Sequence, residues 1–107
     1  MIAQRRDGNE PTIVQALERC GAYVARMDKS VGFDLLAVGP RGTYVIEVKD
    51  PLQRWKLTPN EAAVKAEIEL CGGAYFVIET IDEAVGLAMD DRETVRALLE
   101  KELPCPG

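Results

Sequence analysis

Two segments rich in β-forming residues flank a short turn, and this feature constrains the fold more than any other. The segments are residues 33–38 and 43–49, and residues 39–42 between them read Gly-Pro-Arg-Gly. Two such segments around a turn of glycine and proline predict a β-hairpin. Most side chains on both faces of the two strands are apolar, so we expect a sheet that is covered on both sides.

A helix and a strand are predicted before the hairpin. The helix covers residues 10–20, with Asn9 as its N-cap, Pro11 in its first turn and Gly21 after its end. A short strand over residues 22–27 follows it, before the hairpin.

The segments after the hairpin predict a helix, a strand and two further helices. Thr58 and Thr80 each begin a capping box, with a glutamate three residues later, and an apolar strand over residues 74–79 lies between these two helices. Asp90 is predicted to cap the last helix, and Pro104 to end it. The order is αβββαβ followed by two helices, an α/β fold with a mixed central sheet flanked by helices.

The absence of histidine excludes several classes of enzyme. With no histidine in the sequence, Ser-His-Asp hydrolases, Cys-His proteases and histidine-based zinc sites are ruled out. Cys20, Cys71 and Cys105 are far apart and form no C-x-x-C pattern, so neither a disulfide framework nor a zinc site is indicated. Any catalysis must rely on carboxylates, lysine or a metal with oxygen ligands.

The distribution of charge softens an objection to nucleic acid as a partner. The net charge is −5, which by itself disfavours a phosphate backbone. Residues 1–56 contain nine Lys/Arg and seven Asp/Glu, whereas residues 57–107 contain four and eleven. The halves therefore carry +2 and −7, and the first half can face a phosphate backbone while the second is solvated.

Counting outward from the turn brings two carboxylates together. If Pro40 and Arg41 centre the turn, Asp34 lies directly opposite Glu47, with their Cβ atoms about 4.5–5.5 Å apart. Two carboxylates this close repel each other, and a bound divalent cation would stabilise them. Lys49 is two residues beyond Glu47 and projects from the same face. It could stabilise the charge that develops in a transition state, or accept a proton from water if desolvation lowers its pKa.

A further carboxylate lies on the inward stripe of the first helix. Glu10 precedes Ile13, Val14 and Leu17 by three, four and seven residues, so all four share one face. If this helix packs over the face of the two carboxylates, Glu10 could complete an oxygen shell around a metal. The alternative is that Glu10 only complements the helix dipole.

The polar loop over residues 50–57 offers contacts for nucleic acid. Arg54 and Lys56 flank Trp55, and cations beside an aromatic ring suit phosphate contact and base stacking. Equally, the tryptophan could fold onto the edge of the domain between snorkelling neighbours. Further candidates for phosphate contact are Arg5, Arg6, Arg26, Lys29 and Arg41.

These motifs carry a resemblance to a known family. Gly32-Phe33-Asp34 and Glu47-Val48-Lys49, with Glu10 on a preceding helix, resemble the motifs of the PD-(D/E)XK nucleases. More narrowly, the chain resembles the stand-alone VRR-NUC-type nucleases of phages and bacteria over roughly residues 5–88. The segments that carry this narrower resemblance are residues 6–11, 45–49 and 56–59.

The resemblance implies a restriction-endonuclease-like core and a specific set of site residues. A metal, Mg²⁺ or Mn²⁺, would be held by Glu10, Asp34, Glu47 and the carbonyl of Val48, with Asp34, Glu47 and Lys49 catalytic. It also implies hydrolysis of phosphodiester bonds by a homodimer acting on branched or structured DNA. Phe33 replaces the family's proline before the aspartate, and Glu61 stands where a glutamine is usual. We expect Glu61 to act as a helix cap rather than as a site residue.

We therefore predict a DNA endonuclease formed by one domain over residues 1–107. Residues 1–9 would be flexible, and residues 90–107 would form a C-terminal helical extension. The alternatives are an inactive DNA-binding module of the same fold and a small interaction subunit that docks through its acidic C-terminal helices. With no readable signal peptide or membrane span, we expect a cytoplasmic protein without an organic cofactor.

Overall fold

The computed structural model describes residues 8–104 of the chain. Its elements follow the predicted order, αβββαβ and then two helices. The α/β fold with a mixed central sheet is therefore confirmed. The elements are α1 (Glu10–Arg19), β1 (Tyr23–Arg26), a 3-10 turn (Lys29–Val31), β2 (Leu35–Gly39), β3 (Gly42–Val48), α2 (Pro59–Leu70), β4 (Tyr75–Ile78), α3 (Ile81–Ala88) and α4 (Arg92–Glu100).

The four strands form one sheet in the order β1-β2-β3-β4. The first three strands are antiparallel to their neighbours, whereas β4 runs parallel to β3. A parallel neighbour needs a crossover connection, which α2 provides. In the β2–β3 hairpin Val38 pairs with Thr43 and Leu35 pairs with Ile46, so the predicted register is confirmed.

The sheet is covered on both faces, as its apolar composition predicted. The larger core lies between the sheet and α1, α3 and α4, and the smaller one lies beneath α2 on the opposite face. Helix α2 has no fully buried residue, so it covers its face only lightly. The larger core contains Ile13, Val14, Ala16, Leu17, Leu35, Ala37, Ile46, Val48, Phe76, Ile78, Ala84, Leu87, Ala88 and Leu98. The smaller core is built on Leu57, Tyr75 and Val77.

The helix ends confirm two of the predicted caps and correct two others. The capping boxes that begin with Thr58 and Thr80 both form. Asn9 occupies the N-cap position of α1, but its side chain does not cap the helix because it donates hydrogen bonds elsewhere. Helix α4 is capped by Asp91 rather than by Asp90, since the Asp91 side chain accepts the backbone N–H of Thr94.

One further boundary differs from the prediction. Helix α4 ends at Glu100, four residues before Pro104, and Lys101 after it has an extended backbone conformation. The carbonyl of Pro104 accepts the N–H of Leu57. Within residues 8–104, no helix is long and apolar enough to cross a membrane. The expected flexibility of residues 1–9 falls mostly outside the described residues.

A glycine in the loop before β2 lies against α2. Gly32 has a φ of +95°, and a Cβ added there would lie 2.5 Å from Cγ2 of Val64 in α2. Its carbonyl also accepts the hydroxyl of Tyr75 at 2.6 Å. The left-handed conformation and the missing side chain are therefore both needed where residue 32 meets α2.

We expect Gly32→Ala to destabilise the fold more than Gly72→Ala does. Gly72 has a similar φ of +87°, but a Cβ added there meets open space. In Gly72→Ala, the free energy of unfolding should fall by about 1–2 kcal/mol, the cost of a left-handed alanine. Gly32→Ala adds overpacking against Val64, so its free energy of unfolding should fall by about 2–5 kcal/mol. Urea denaturation of both variants measures the difference. Equal losses would show that α2 yields to the added methyl group.

Candidate metal and active site

Asp34 is held at the end of the hairpin by contacts with the backbone of β3. Its N–H donates to the carbonyl of Ile46 at 3.0 Å, and its Oδ2 accepts the N–H of Val48 at 2.8 Å. The first bond continues the β2–β3 pairing by one residue, which places Asp34 opposite Glu47. The second orients the carboxylate beside the backbone of Val48, at the carboxyl end of β3.

Glu47 is a buried acid in a negative environment. Its relative exposure is 3%, and it points to the face covered by α2, because its neighbours Ile46 and Val48 belong to the opposite core. Burial raises the pKa of Glu47 to about 10, and the charge of Asp34 and a hydrogen bond to Glu61 act in the same direction. Without a bound cation, Glu47 therefore carries a proton at neutral pH.

Among the described residues, Lys49 is a cation that lies beside Glu47. Its Nζ lies 3.4 Å from Oε2 of Glu47 and 3.0 Å from Oε1 of Glu61. Burial acts to lower the pKa of Lys49, but the hydrogen bond to Glu61 and the charges of both glutamates outweigh burial and raise it. In this arrangement Lys49 stays protonated, which favours charge stabilisation over proton abstraction among its two candidate roles.

Glu61 caps α2, as predicted, and its side chain also contacts Lys49. Its Oε1 accepts the N–H of Thr58 at 2.9 Å as well as the ammonium of Lys49. Burial acts to raise the pKa of Glu61, but the bonds from Thr58, Glu47 and Lys49 lower it overall. The capping-box spacing could have located this carboxylate at the start of α2. The spacing did not show over which face of the sheet α2 begins.

Glu10 approaches from the other side of the sheet. The apolar side chains of α1 pack in the larger core, so this helix does not cover the Asp34–Glu47 face, contrary to the arrangement that we considered. Glu10 is buried, with an exposure of 1%, and its Oε2 lies 3.8 Å from Nε of Arg26. A ligand role for Glu10 therefore depends on reaching the site around the end of the sheet.

Asn9 brings the start of α1 to that end of the sheet. Its Nδ2 donates to the carbonyls of Lys49 and Glu79, at 2.9 and 3.0 Å, which lie just beyond the ends of β3 and β4. Its Oδ1 is buried and has no hydrogen-bond partner among the described residues. A buried acceptor without a donor is costly, and such an oxygen beside Glu10 is compatible with a ligand or cation at the end of the sheet.

The donor atoms at this end of the sheet are all oxygens. Within residues 8–104, no three acidic or cysteine side chains are close enough together to form a metal site on their own. The carboxylates of Asp34 and Glu47 do share one face, next to the backbone of Val48. Carboxylate and carbonyl oxygens suit Mg²⁺ or Mn²⁺ and do not suit soft metals.

The loop before α2 presents two cations around a tethered tryptophan. Arg54 and Lys56 are exposed, whereas Trp55 is half-buried and packs against the smaller core. The indole Nε1–H donates to Oε2 of Glu79 at 2.9 Å, so this side chain folds onto the domain edge, as one of our two alternatives held. These three residues and Pro104 line a depression of about 340 Å³. Arg5 and Arg6 lie outside the described residues.

Comparison with known proteins agrees with the architecture. No protein-family model matches the sequence, and no curated protein matches it. A solved structure titled "VRR_NUC domain" is similar, with a TM-score of 0.59 and 22% sequence identity, over 78% of this chain and 97% of that chain. At this identity the likeness concerns the fold. The chain therefore shares its fold with that VRR_NUC domain structure.

Proposed function

We propose that this chain is a divalent-metal-dependent endonuclease that hydrolyses phosphodiester bonds in DNA. The observation that carries the proposal is the Asp34–Glu47 pair, two carboxylates on one face of the sheet with Lys49 beside them. Like charges this close destabilise a sheet unless a cation or a proton neutralises them. An arrangement that costs stability is retained where it serves a function.

The oxygen donors around this pair fit Mg²⁺ or Mn²⁺. Asp34, Glu47 and the carbonyl of Val48 would hold the ion from the α2 face, and Glu10 would contribute from the end of the sheet. When bound, the ion activates a water and stabilises the charge of the scissile phosphate. The two carboxylates would fix the position of the metal ion, and the buried side chain of Glu47 has little freedom to move away from it.

Lys49 would place a positive charge beside the scissile phosphate. Its ammonium is already within 3.4 Å of Glu47, so it lies next to the group that would hold the metal. A preorganised cation stabilises the charge that develops as the phosphodiester bond breaks. The hydrogen bond to Glu61 keeps Lys49 protonated before the substrate arrives.

DNA would contact the loop before α2. Arg54 and Lys56 are exposed cations for phosphate oxygens, and the ring of Trp55 lines the depression between them. The excess of acidic residues lies in the second half of the chain, and the loop belongs to the basic first half. The half of the sequence that contains most of this loop is therefore the half whose net charge attracts a phosphate backbone.

The chain would act as a homodimer on branched or structured DNA. One Asp34–Glu47 pair can cut one strand at a time, so paired cuts need two copies of the chain. Soluble oligomers are mostly closed and two-fold, and a two-fold dimer presents two sites related by the same symmetry as a four-way junction. This arrangement depends on the resemblance to VRR-NUC-type nucleases and on the single candidate site that residues 8–104 of each chain contain.

Metal-dependent cleavage tests the function directly. We expect labelled duplex, flap or four-way-junction DNA to be cut with Mg²⁺ or Mn²⁺ and to stay intact with EDTA. Asp34→Ala and Lys49→Ala should each lower kcat by at least about 10²-fold, because each removes charge stabilisation at the reacting phosphate. Lys56→Gln is the matched comparison: it removes a cation from the loop and should raise KM while leaving kcat nearly unchanged.

Two outcomes would contradict this assignment. Cleavage that survives in Asp34→Ala would place the active centre elsewhere. No cleavage of any substrate by folded protein would instead favour a DNA-binding module of the same fold.

The stability of the metal-free protein should fall as the pH rises. Unfolded Glu47 loses its proton near its ordinary pKa of 4.5, whereas the folded residue keeps it up to about 10. Unfolding therefore releases a proton between these values, and a higher pH favours the unfolded state. Urea denaturation in EDTA at about pH 5 and about pH 9 should show this loss, and Glu47→Gln, which cannot ionise, should lose less.

Added Mg²⁺ should restore stability at the higher pH, where the ion displaces the proton of Glu47 more easily than it does at about pH 5. A Glu47→Gln variant with the same pH dependence as the wild type would remove Glu47 as the cause. A wild type that Mg²⁺ does not stabilise at about pH 9 would argue against a metal at this pair.

The mass of the protein in solution tests the dimer. Light scattering should give twice the mass of the chain for the free protein, and that mass plus the mass of the DNA for the complex with a four-way junction. A monomer mass under both conditions would exclude the homodimer and leave single-strand nicking as the expected cleavage.

A further inference from the structure

A single carboxylate oxygen joins the two ends of the loop over residues 50–57. Lys49 precedes this loop and Thr58 follows it. Oε1 of Glu61 accepts the ammonium of Lys49 at 3.0 Å and the backbone N–H of Thr58 at 2.9 Å. The loop that carries Arg54 and Trp55 is thus closed at its base by one atom.

The rest of the loop is tied to other parts of the molecule. The N–H of Leu57 donates to the carbonyl of Pro104 at 2.7 Å, and Trp55 is tethered to Glu79. These bonds hold the second half of the loop. The first half is braced internally by Asp50, which accepts the N–H of Leu52 and of Gln53 through its side chain and its carbonyl. None of these bonds involves the ammonium of Lys49, so Glu61 is what links that group to the loop base.

The contact is strong enough to orient a lysine. The side chains of Lys49 and Glu61 are only 12% and 16% exposed, so solvent screens their attraction less than it screens a surface ion pair. Glu61 is itself immobilised by the first turn of α2, because its backbone N–H donates to the hydroxyl of Thr58. A lysine has a flexible four-carbon stem, and a fixed acceptor reduces the positions that its ammonium samples.

We propose that Glu61 is a positioning residue that fixes the ammonium of Lys49 for catalysis and couples it to the DNA-contacting loop. This inference rests on the proposed function, and it assigns to the glutamate a task beyond capping α2. A shift of the loop base moves Thr58, Glu61 and Lys49 together because they share one oxygen. Contact between DNA and the loop is thereby linked to the position of the catalytic ammonium.

The second capping box of the chain provides a matched control. Oε1 of Glu83 accepts the N–H of Thr80, and Oε2 of Glu83 pairs with Lys101 at 2.8 Å, so it too combines a helix cap with a lysine contact. It caps α3, outside the Asp34–Glu47 site. Glu83→Ala therefore removes the same kind of interactions without touching Lys49.

The first experiment compares three variants in the cleavage assay. We expect Glu61→Ala to lower kcat by about ten- to a hundredfold with little change in KM, because the ammonium loses its fixed position. Glu61→Gln keeps an oxygen acceptor for both donors and should recover most of that loss. Glu83→Ala should lower stability but leave kcat near the wild-type value. Wild-type kcat in a folded Glu61→Ala variant would overturn the proposal, as would an equal loss in Glu83→Ala.

The second experiment needs neither metal nor activity. Urea midpoints in EDTA are measured for Glu61→Ala, Lys49→Met and the double variant. The two effects should be clearly non-additive, since each substitution removes the same ion pair. Strict additivity would overturn the link between the two side chains. If the wild type cuts no DNA, the proposed function fails, and this cycle alone still decides whether Glu61 holds Lys49.

Discussion

The antiparallel register of β2 and β3 is the constraint on which the site depends. Leu35 pairs with Ile46, so the next residue outward, Asp34, lies across from Glu47. Both carboxylates then point to the face that α2 covers. A shift of one residue would send the acids into the larger apolar core, where ionised groups cannot remain. The Gly-Pro-Arg-Gly turn thus determines more than the hairpin, because it decides which face of the sheet becomes polar.

The two faces of the sheet have different roles: one provides most of the apolar core, and the other carries the candidate site. The face under α1, α3 and α4 holds most of the buried apolar side chains, and burial of apolar surface is the main source of folding free energy. The other face carries the ionisable groups beneath the first turn of a lightly packed helix. A site of buried acids costs stability, and the larger core on the opposite face can offset that cost.

Polar side chains join the separate elements at the carboxyl ends of β3 and β4. Asn9 bridges the carbonyls that follow both strands. Lys101 donates to the carbonyl of Val77 and pairs with Glu79 and Glu83. These bonds connect α1, the sheet, α3 and the segment after α4 to the loop that carries the tryptophan. Candidate metal, lysine and DNA-contacting groups therefore lie on one framework rather than on independent loops.

The sequence by itself determined the element order, the hairpin register and the facing of Asp34 and Glu47, because these follow from local periodicity and turn chemistry. Only the tertiary structure decided which face each helix covers. Periodicity gives a helix an apolar side but does not say which side of a sheet receives it. For that reason the sequence left open on which side of the sheet Glu10 lies, and it did not reveal that Glu61, which caps α2 as predicted, also contacts Lys49. The same chain segment satisfies its local capping rule and, once packed, also holds Lys49.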